Sequence, residues 1–290
     1  MKKTPVVHSP FRYVGGKFFA RNSILPLLPE HSAYVEPFCG GASIFFAKDK
    51  VESNWLNDLD KELIQTLICI RDQADELARL VSGYRIDPTM HDYFKNYFSP
   101  ANKLEVAARW FYLNRISYSG IMNKMNCYYS YNPRYTKPQS RWKDAILSAS
   151  EKLQDVKLTS LDFRQVIRQA PPGAVLFIDP PQSSFAKRER FYQHGMYEQD
   201  HKDLADLLYQ RRNDLGFVLC ASADALPAYA WAATVVAQWQ KKVSRMDYAA
   251  EEQRKKLAQQ TSFAESLVYH AGHSAKDRSS SVSRHYALSE

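Results

Sequence analysis

Residues 175–185 read VLFIDPPQSSF, in which four apolar residues run without alternation into an acid and two prolines. A strand that is covered on both faces, as in a parallel sheet, has this continuous apolar pattern. Proline donates no ladder hydrogen bond, so Pro180 and Pro181 end the strand. Asp179 is therefore predicted at the carboxyl end of a buried strand, the edge at which open α/β sheets bind ligands. An acid that only caps a turn is the alternative at this point.

Two strand patterns nearer the N-terminus point to a similar edge. Residues 34–38 lead into the glycine pair at 40–41, and residues 54–58 end on Asp58. Glycines allow the backbone to approach a ligand, and an acid at the end of the next strand can bind ribose hydroxyls. No lysine follows the glycines in the order GK[ST], which argues against a triphosphate-binding P-loop. These patterns predict a nucleotide-type site.

The composition of the whole chain favours a polyanionic partner. The chain has 290 residues, a net charge of +8 and a pI near 9.1, which indicates nucleic acid first. Its four cysteines lie far apart without a CxxC pair, and its eight histidines show no metal-ligand spacing. We therefore expect no metal and a reducing compartment. No apolar run is long enough for a signal peptide or a membrane span, so we expect a cytoplasmic protein without a membrane partner. A monomer is favoured.

Residues 82–145 differ in character from the chain on either side. Residues 109–143 contain no acid, and basic residues are interleaved there with tyrosines. Phosphate contacts and base stacking use this combination, although a solvated basic face would have the same composition. We predict a nucleic-acid-binding insert at 82–145, a discontinuous core at 1–81 and 146–272, and a flexible serine-rich tail at 273–290.

Apolar spacing predicts the regular elements of this arrangement. Helices are expected at 42–48, 61–71, 101–112, 143–153, 162–169 and 200–212, and strands at 34–38, 54–58, 156–159, 175–179, 216–221 and 266–269. The helix at 101–112 is the one clear helix predicted inside the insert.

Five motifs occur in one order over residues 10–270. They are YVGGK at 13–17, EPFCGG at 36–41, ND at 57–58, YLNR at 112–115 with Tyr118 and Gly120, and DPP at 179–181. This order resembles the Dam-like (alpha-class) N6-adenine DNA methyltransferases. The resemblance implies a Rossmann-like S-adenosylmethionine-dependent methyltransferase core of the α/β class with an inserted, mainly helical DNA-recognition domain. It also implies action on double-stranded DNA inside a prokaryotic or phage-infected cell, in a restriction-modification or defence setting.

The resemblance assigns cofactor contacts to the glycine turns and to the strand ends. Tyr13 stands where the family usually has Trp and would close over S-adenosylmethionine, and Lys17 would lie near cofactor and target. The cofactor residues it implies are Tyr13, Lys17, Glu36, Pro37, Phe38, Gly40, Asp58 and Asp179.

The resemblance also assigns the catalytic residues Asp179, Pro180, Pro181 and Gln182. An adenine amino group is a poor nucleophile because its lone pair is delocalised into the ring. Asp179 and the carbonyl of Pro180 can accept its two N–H bonds, which favours a pyramidal nitrogen that attacks the sulfonium methyl in line. The target base must first leave the duplex.

Gln182 departs from the family pattern, which normally has an aromatic residue, usually Tyr, stacked on the flipped base. Loss of a stacking partner costs about 1–3 kcal/mol. Phe185, Phe191 or Tyr192 could supply another ring, and Gln182 could bind a base edge. Four interpretations stay open: a weakened enzyme, an altered target, a DNA-binding relative without methylation, or a tolerated local change, whether natural or engineered. Methylation of another base or of RNA is a further alternative.

The insert would supply the DNA contacts. Phosphate contacts are predicted for Arg115, Lys124, Arg134, Lys137 and Arg141, and base-edge contacts for Tyr118, Ser119 and Asn123. Family members that recognise GATC have Asn where Ser119 stands and Arg where Asn123 stands, so GATC is not the predicted site. The basic segment 241–256 aligns with a family loop that contacts DNA. His201, which follows Asp200, is predicted as a cap or helix-face residue.

Overall fold

The computed structural model of the chain describes residues 6–134, 136–181, 193–235 and 265–272. Several sequence predictions fall outside these residues. They concern Tyr135, Gln182, the possible replacement rings Phe185, Phe191 and Tyr192, the basic segment 241–256 and the tail 273–290.

Seven strands form one sheet in the described part of the chain. They are β1 (Ala33–Glu36), β2 (Ser53–Asn57), β3 (Lys157–Thr159), β4 (Val175–Ile178), β5 (Gly216–Ser222), β6 (Ala233–Val235) and β7 (Glu265–His270). Their order is β3-β2-β1-β4-β5-β7-β6, with β1 to β5 parallel and β7 antiparallel to both neighbours. At the centre of the sheet, Val35 of β1 pairs with Trp55 of β2 on one side and with Leu176 of β4 on the other.

Helices cover both faces of this sheet. They are α1 (Arg21–Ile24), α2 (Ser43–Ala47), α3 (Lys61–Asp72), α4 (Ala74–Gly83), α5 (Pro88–Asn96), α6 (Lys103–Ile116), α7 (Trp142–Leu153), α8 (Phe163–Gln169) and α9 (Glu198–Gln210). Phe177 of β4 packs into the cluster that contains α3, α6 and α7, whereas its neighbours Leu176 and Ile178 pack with α8 and α9. All four residues of β4 are buried, as its apolar run predicted.

Side chains at the helix starts follow ordinary capping chemistry. Asp60 accepts from the N–H groups of Glu62 and Leu63, and Asn102 accepts from that of Glu105. Each cap satisfies donors that the first helical turn leaves unpaired. The Asp60 cap also fixes where α3 begins relative to the end of β2, next to Asp58.

The helical part of the predicted insert shares the core of the sheet. Trp110 and Phe111 of α6 and Trp142 of α7 belong to the same hydrophobic cluster as Leu63 and Leu67 of α3. Helix α6 also runs to Ile116, beyond the predicted end at residue 112, and α4, α5 and β6 were not predicted. The 82–145 boundary as a functional division stays a prediction, but its helices pack as a layer of the core.

The predicted α/β architecture is confirmed. Chain order runs outward from β1 to β2 and β3 and then returns to β4 beside β1, which makes the β1–β4 border a topological switch point. Ligands of open α/β sheets bind in the crevice beyond such a border, at the carboxyl ends of the strands.

Candidate active site

A cleft opens at this switch point and collects most of the predicted cofactor residues. Its lining includes Tyr13, Glu36, Pro37, Phe38, Gly40, Asp58, Asp179 and Pro181. Residues from four separate parts of the sequence therefore meet at one edge of the sheet. Pro180 is buried behind this lining.

The glycine turn after β1 carries the ring of Tyr13. Gly40 has φ +46°, and a Cβ at this position would lie 2.6 Å from Cε1 of Tyr13. Gly41 lies below the same side chain, since a Cβ there would approach Tyr13 Cβ to 3.0 Å. Only glycine allows the ring to lie this close to the backbone. The turn and the ring together form one wall of the cleft.

Asp58 joins the end of β2 to the glycine turn. Its Oδ2 accepts from the N–H of Gly40 at 2.8 Å, and its Oδ1 accepts from that of Asp60 at 3.0 Å. Burial raises the pKa of Asp58 to about 6, although these N–H groups oppose the change. Each carboxylate oxygen has two acceptor sites, so both can still receive a ligand hydroxyl.

Glu36 lies deeper, at the end of β1, with 1% of its surface exposed. Its Oε1 accepts from the Tyr34 hydroxyl at 2.8 Å and from the N–H of Phe45 at 2.9 Å. Burial raises the pKa of Glu36 to about 8, and the hydrogen bonds from Tyr34 and Phe45 and the charge of Lys48 lower it in part. Glu36 thereby ties β1 to α2 from inside the cleft.

Asp179 forms an ion pair with Lys17, with 2.7 Å between Oδ1 and Nζ. Lys17 is 5% exposed; its Nζ also donates to the carbonyl of Gly15, and its backbone N–H donates to Ser43 Oγ. A tight turn, in which Gly16 N–H donates to the Tyr13 carbonyl and Gly15 has φ +83°, delivers Lys17 to this position. The first glycine turn thus contributes a ring to the cleft and a cation that pairs with Asp179.

The opposite wall combines Phe38, a predicted cofactor residue, with residues that the sequence did not single out. The rings of Phe38 and Phe163 lie 5.2 Å apart between centroids. Arg164 pairs with three acids, at 3.1 Å from Asp162, 2.5 Å from Asp200 and 2.7 Å from Asp203. Asp162, which follows β3 and caps α8, was the signal that the sequence offered for this wall, because it too lies at the carboxyl edge of the sheet.

His201 of α9 is placed against the Asp-Pro-Pro segment. Its ring makes a hydrogen bond with the backbone of Pro181, and burial lowers its pKa. The histidine was predicted as a cap or a face residue, and its distance in sequence from Pro181 concealed this contact.

Comparison with known proteins identifies the family to which this chain belongs. A profile of the D12 class N6 adenine-specific DNA methyltransferases matches residues 13–252. The chain belongs to this family. Membership confirms the predicted resemblance and the predicted class of enzyme, a DNA adenine-N6 methyltransferase, and it implies the use of S-adenosylmethionine and DNA.

Individual relatives support the same assignment. Type II methyltransferase M1.LlaDCHI of Lactococcus lactis subsp. cremoris is 26% identical over 239 residues, which cover 77% of this chain and 84% of the relative. DNA N-6-adenine-methyltransferase of Escherichia phage P1 is 28% identical over 213 residues, covering 69% of this chain and 28% of that protein. DNA adenine methylase of Serratia marcescens is 24% identical over 216 residues, covering 69% and 77%.

Arg115 of this methyltransferase does not have the exposure that a phosphate contact requires. It is 4% exposed, and its guanidinium donates to the carbonyls of Pro10 at 3.4 Å and Lys137 at 3.5 Å. Burial and the neighbouring Arg12 lower its pKa to about 10. The expectation of a phosphate contact is corrected, since Arg115 joins α6 to two loops from inside.

The remaining predicted DNA residues lie on or near the surface around α6. Lys124, Arg134 and Arg141 are exposed, whereas Tyr118, Ser119, Asn123 and Lys137 are partly buried. Arg141 lies 3.6 Å from Asp144, an exposed pair that contributes little to stability. Which of these residues contact DNA stays a prediction.

Beneath this surface lies a hydrogen-bonded cluster that the sequence did not reveal. His91 Nε2 lies 3.0 Å from Ser117 Oγ, which lies 3.0 Å from Cys127 Sγ, and all three residues are buried. Tyr118 N–H also donates to the Tyr128 carbonyl. The cluster connects α5, the end of α6 and the segment around residue 127.

The described residues contain neither a metal-ligand cluster nor a membrane-spanning helix. No group of three or more His, Cys, Asp or Glu side chains is arranged there to hold a metal ion. None of the helices described is both long and apolar enough to cross a membrane.

Proposed function

We propose that this chain methylates N6 of adenine at a specific site in double-stranded DNA, with the base flipped toward Asp179, Pro180 and Pro181. One observation carries the assignment of the site. Asp179, the acid that ends β4, lies in the same cleft as the Gly40–Asp58 pair and is oriented there by Lys17. The residues suited to bind a cofactor and the acid suited to accept a hydrogen bond from a base therefore line the same crevice.

The cofactor half of the cleft fits S-adenosylmethionine. Asp58 offers carboxylate oxygens for ribose hydroxyls, and the absence of a side chain at Gly40 leaves backbone beside the Tyr13 ring. Phe38 and Phe163 offer apolar surface for an adenine ring. The cofactor supplies an electrophilic methyl group on a sulfonium centre, and the chain supplies its position.

The base half of the cleft orients the nucleophile. Asp179 and the Pro180 carbonyl accept the two N–H bonds of the adenine amino group, which draws its lone pair out of the ring. Lys17 Nζ, shared between Asp179 and the Gly15 carbonyl, holds the carboxylate in the direction of the cleft. Holding reactants in line accounts for a large part of such rate enhancements.

Gln182 determines how well the flipped base is held. A glutamine offers hydrogen bonds but no stacking surface, so we propose an active enzyme with weaker base holding than an aromatic residue would give. The rival is a relative that binds DNA without methylating it, and Gln182 is the observation that favours it. A different base or RNA as the acceptor is the remaining alternative.

Transfer of tritiated methyl groups to mixed-sequence duplex DNA, in parallel with RNA, separates these functions. The proposal predicts DNA labelling by the native chain and stronger labelling by Gln182→Tyr. If neither protein labels DNA while both bind it, the binding-protein function is correct. If only RNA is labelled, the proposed substrate is wrong.

The setting of the activity is proposed from the relatives. They carry the names of type II and phage DNA methyltransferases, so a role in restriction-modification, defence or phage biology inside the cell is consistent with them. The departures at Ser119 and Asn123 favour a recognition sequence other than GATC.

A further inference from the structure

The segment that precedes and follows the Tyr13–Lys17 turn carries positive charge without a compensating acid. Residues 1–29 contain no aspartate or glutamate, and the first acid of the chain is Glu30. Within residues 6–29 the cations are Arg12, Lys17 and Arg21. Lys17 is paired with Asp179, and Arg12 donates to the carbonyl of Ser117. In the part of the chain that the structure describes, Arg21 makes no ion pair with an acid.

Arg21 is held in a stack rather than by a counter-ion. Its guanidinium lies over the Phe18 ring at 4.1 Å from the centroid, and its Nη1 donates to the Phe18 carbonyl at 2.7 Å. The His8 ring packs near Phe18, with 4.5 Å between centroids. A cation fixed against an aromatic ring loses little conformational freedom when it binds an anion, because its position is already set.

Phe19 is the most exposed large apolar side chain of the described residues, at 92% of its surface. It is two residues from Lys17, so their α-carbons are at most about 7.6 Å apart. The exposed ring of Phe19 therefore belongs to the same short segment as Lys17, the residue that pairs with Asp179.

Lys137 lies close to the same positive region. Partial burial, and then the positive charges of Lys137 and Arg21, lower the pKa of His8, so both cations lie within electrostatic range of this histidine. Arg115 strengthens the connection, because its guanidinium donates both to the Lys137 carbonyl and to the Pro10 carbonyl.

We propose that Phe18, Phe19, Arg21 and Lys137 form a flank-binding surface for the DNA strand next to the flipped adenine. Arg21 and Lys137 bind backbone phosphate, and Phe19 packs on the neighbouring base that flipping exposes. Charge complementarity selects nucleic acid as the occupant, and the nearness of Lys17 selects the strand that carries the target. The proposal rests on the proposed function, because it assumes that an adenine enters the cleft.

Duplex binding by fluorescence anisotropy, over a series of salt concentrations, tests the surface. Removal of a stacking ring in Phe19→Ala should weaken binding by about 5-fold or more, whereas Phe19→Trp should retain affinity. Arg21→Ala should reduce the slope of log affinity against log salt by about 0.9, since one phosphate contact is lost. Arg168→Ala, which removes an exposed cation at the far end of α8, is the matched control and should change neither quantity.

The outcomes separate this surface from the function on which it rests. If the native chain binds DNA and transfers methyl groups while Phe19→Ala and Arg21→Ala both behave like it, the surface is wrong and the function stands. If the native chain binds cofactor but not duplex DNA, both fail. Circular dichroism of each variant checks the fold. The salt dependence of DNA binding by Arg21→Ala tests the phosphate contact independently of the result for Phe19→Ala.

Discussion

At the scale of single residues, two carboxyl groups in one cleft have raised pKa values and different surroundings. Asp58 lies at the cleft wall and accepts from the N–H groups of Gly40 and Asp60, which keep its pKa near 6 despite burial. Glu36 lies deeper, and burial raises its pKa to about 8. Near neutral pH, Asp58 is mostly ionised while Glu36 is mostly protonated, so the two groups are suited to different tasks.

Cofactor affinity should therefore decrease as the pH falls through about 6, because protonated Asp58 is a poorer acceptor for ribose hydroxyls. Asp58→Asn should weaken binding by about 10-fold or more, as expected for a hydrogen bond to a charged group, and should remove the pH dependence. Calorimetry of S-adenosylmethionine binding at about pH 5 and about pH 8 measures both effects. Asp75→Asn, an exposed acid of α4, is the control. Identical titrations for Asp58→Asn and the native chain would remove Asp58 from the cofactor site.

Glu36 makes a separate contribution to stability. Its pKa is about 8 in the folded chain against a reference value of 4.5, so the folded state holds this proton more tightly than the unfolded state. Stability should then be lost as the pH rises from about 4.5 through about 8. Glu36→Gln keeps an oxygen for the Tyr34 and Phe45 bonds and should lessen that loss. We expect a gain of about 2–4 °C in Tm above pH 8, equivalent to about 1 kcal/mol. A variant whose Tm follows the native pH profile would contradict this account of Glu36.

At the scale of elements, the N-terminal turn and the end of α6 are connected through backbone contacts. Asn114 accepts from the Arg12 N–H at 2.9 Å and donates to the Arg12 carbonyl at 2.7 Å. Gly120 packs against the same residue, and a Cβ at this position would lie 2.3 Å from the Arg12 carbonyl oxygen. The segment that carries Tyr13 and Lys17 is thus positioned by the element that precedes the predicted base-reading residues.

Gly120→Ala should lower the stability of the protein by more than the cost of backbone strain alone, because the added Cβ would also displace Arg12. Gly173 is the matched control, since its φ of +78° is close to the +72° of Gly120 and nothing lies within 4 Å of a Cβ there. Gly173→Ala should cost about 1–2 kcal/mol for the left-handed conformation. Gly120→Ala should cost more and should also weaken DNA binding. Denaturant unfolding and anisotropy of both variants provide the comparison, and equal losses would indicate that the Arg12 contact tolerates displacement.

The elements also show what the sequence could and could not predict. The strands that build the cleft were predictable because each is a short apolar run that stops at an acid or a glycine pair. Helix α5 was missed although Asp87 and Pro88 form a regular N-terminus, and only two of its nine residues, His91 and Phe94, are buried. Arg115 was assigned to phosphate because charge in a sequence does not reveal burial, and the carbonyls of Pro10 and Lys137 that surround it come from distant segments. The same limit concealed the contact of His201 with Pro181.

At the scale of the whole molecule, the cofactor cleft and the predicted DNA surface share one core. Helix α6 contributes Trp110 both to the hydrophobic cluster and to the lining of the cleft, and its end leads to Tyr118 and Ser119. The side chains predicted for the two functions are nevertheless different. We expect variants of the DNA surface to leave cofactor binding intact.

Two variants of the DNA surface should differ in kind. Lys137→Ala should weaken binding to all sequences alike and flatten the salt dependence by about 0.9, because it removes a phosphate contact. Asn123→Ala should instead change which sequence is preferred, since a base-edge contact is worth about 1–3 kcal/mol of discrimination. Binding to a pool of random duplexes, followed by sequencing of the bound fraction, distinguishes the two. If neither variant alters affinity, salt dependence or preference, residues 109–143 are a solvated face and the predicted contacts are wrong.

The proposed role of Asp179 is to present an adenine amino group to the methyl donor in the β1–β4 crevice. Its most direct test is nucleoside analysis by mass spectrometry of duplex DNA incubated with S-adenosylmethionine and either the native chain or Asp179→Ala. The structure predicts N6-methyldeoxyadenosine with the native chain and its loss with Asp179→Ala, while the variant still binds cofactor. Methylation that persists in Asp179→Ala, or that appears on cytosine instead of adenine, would contradict it.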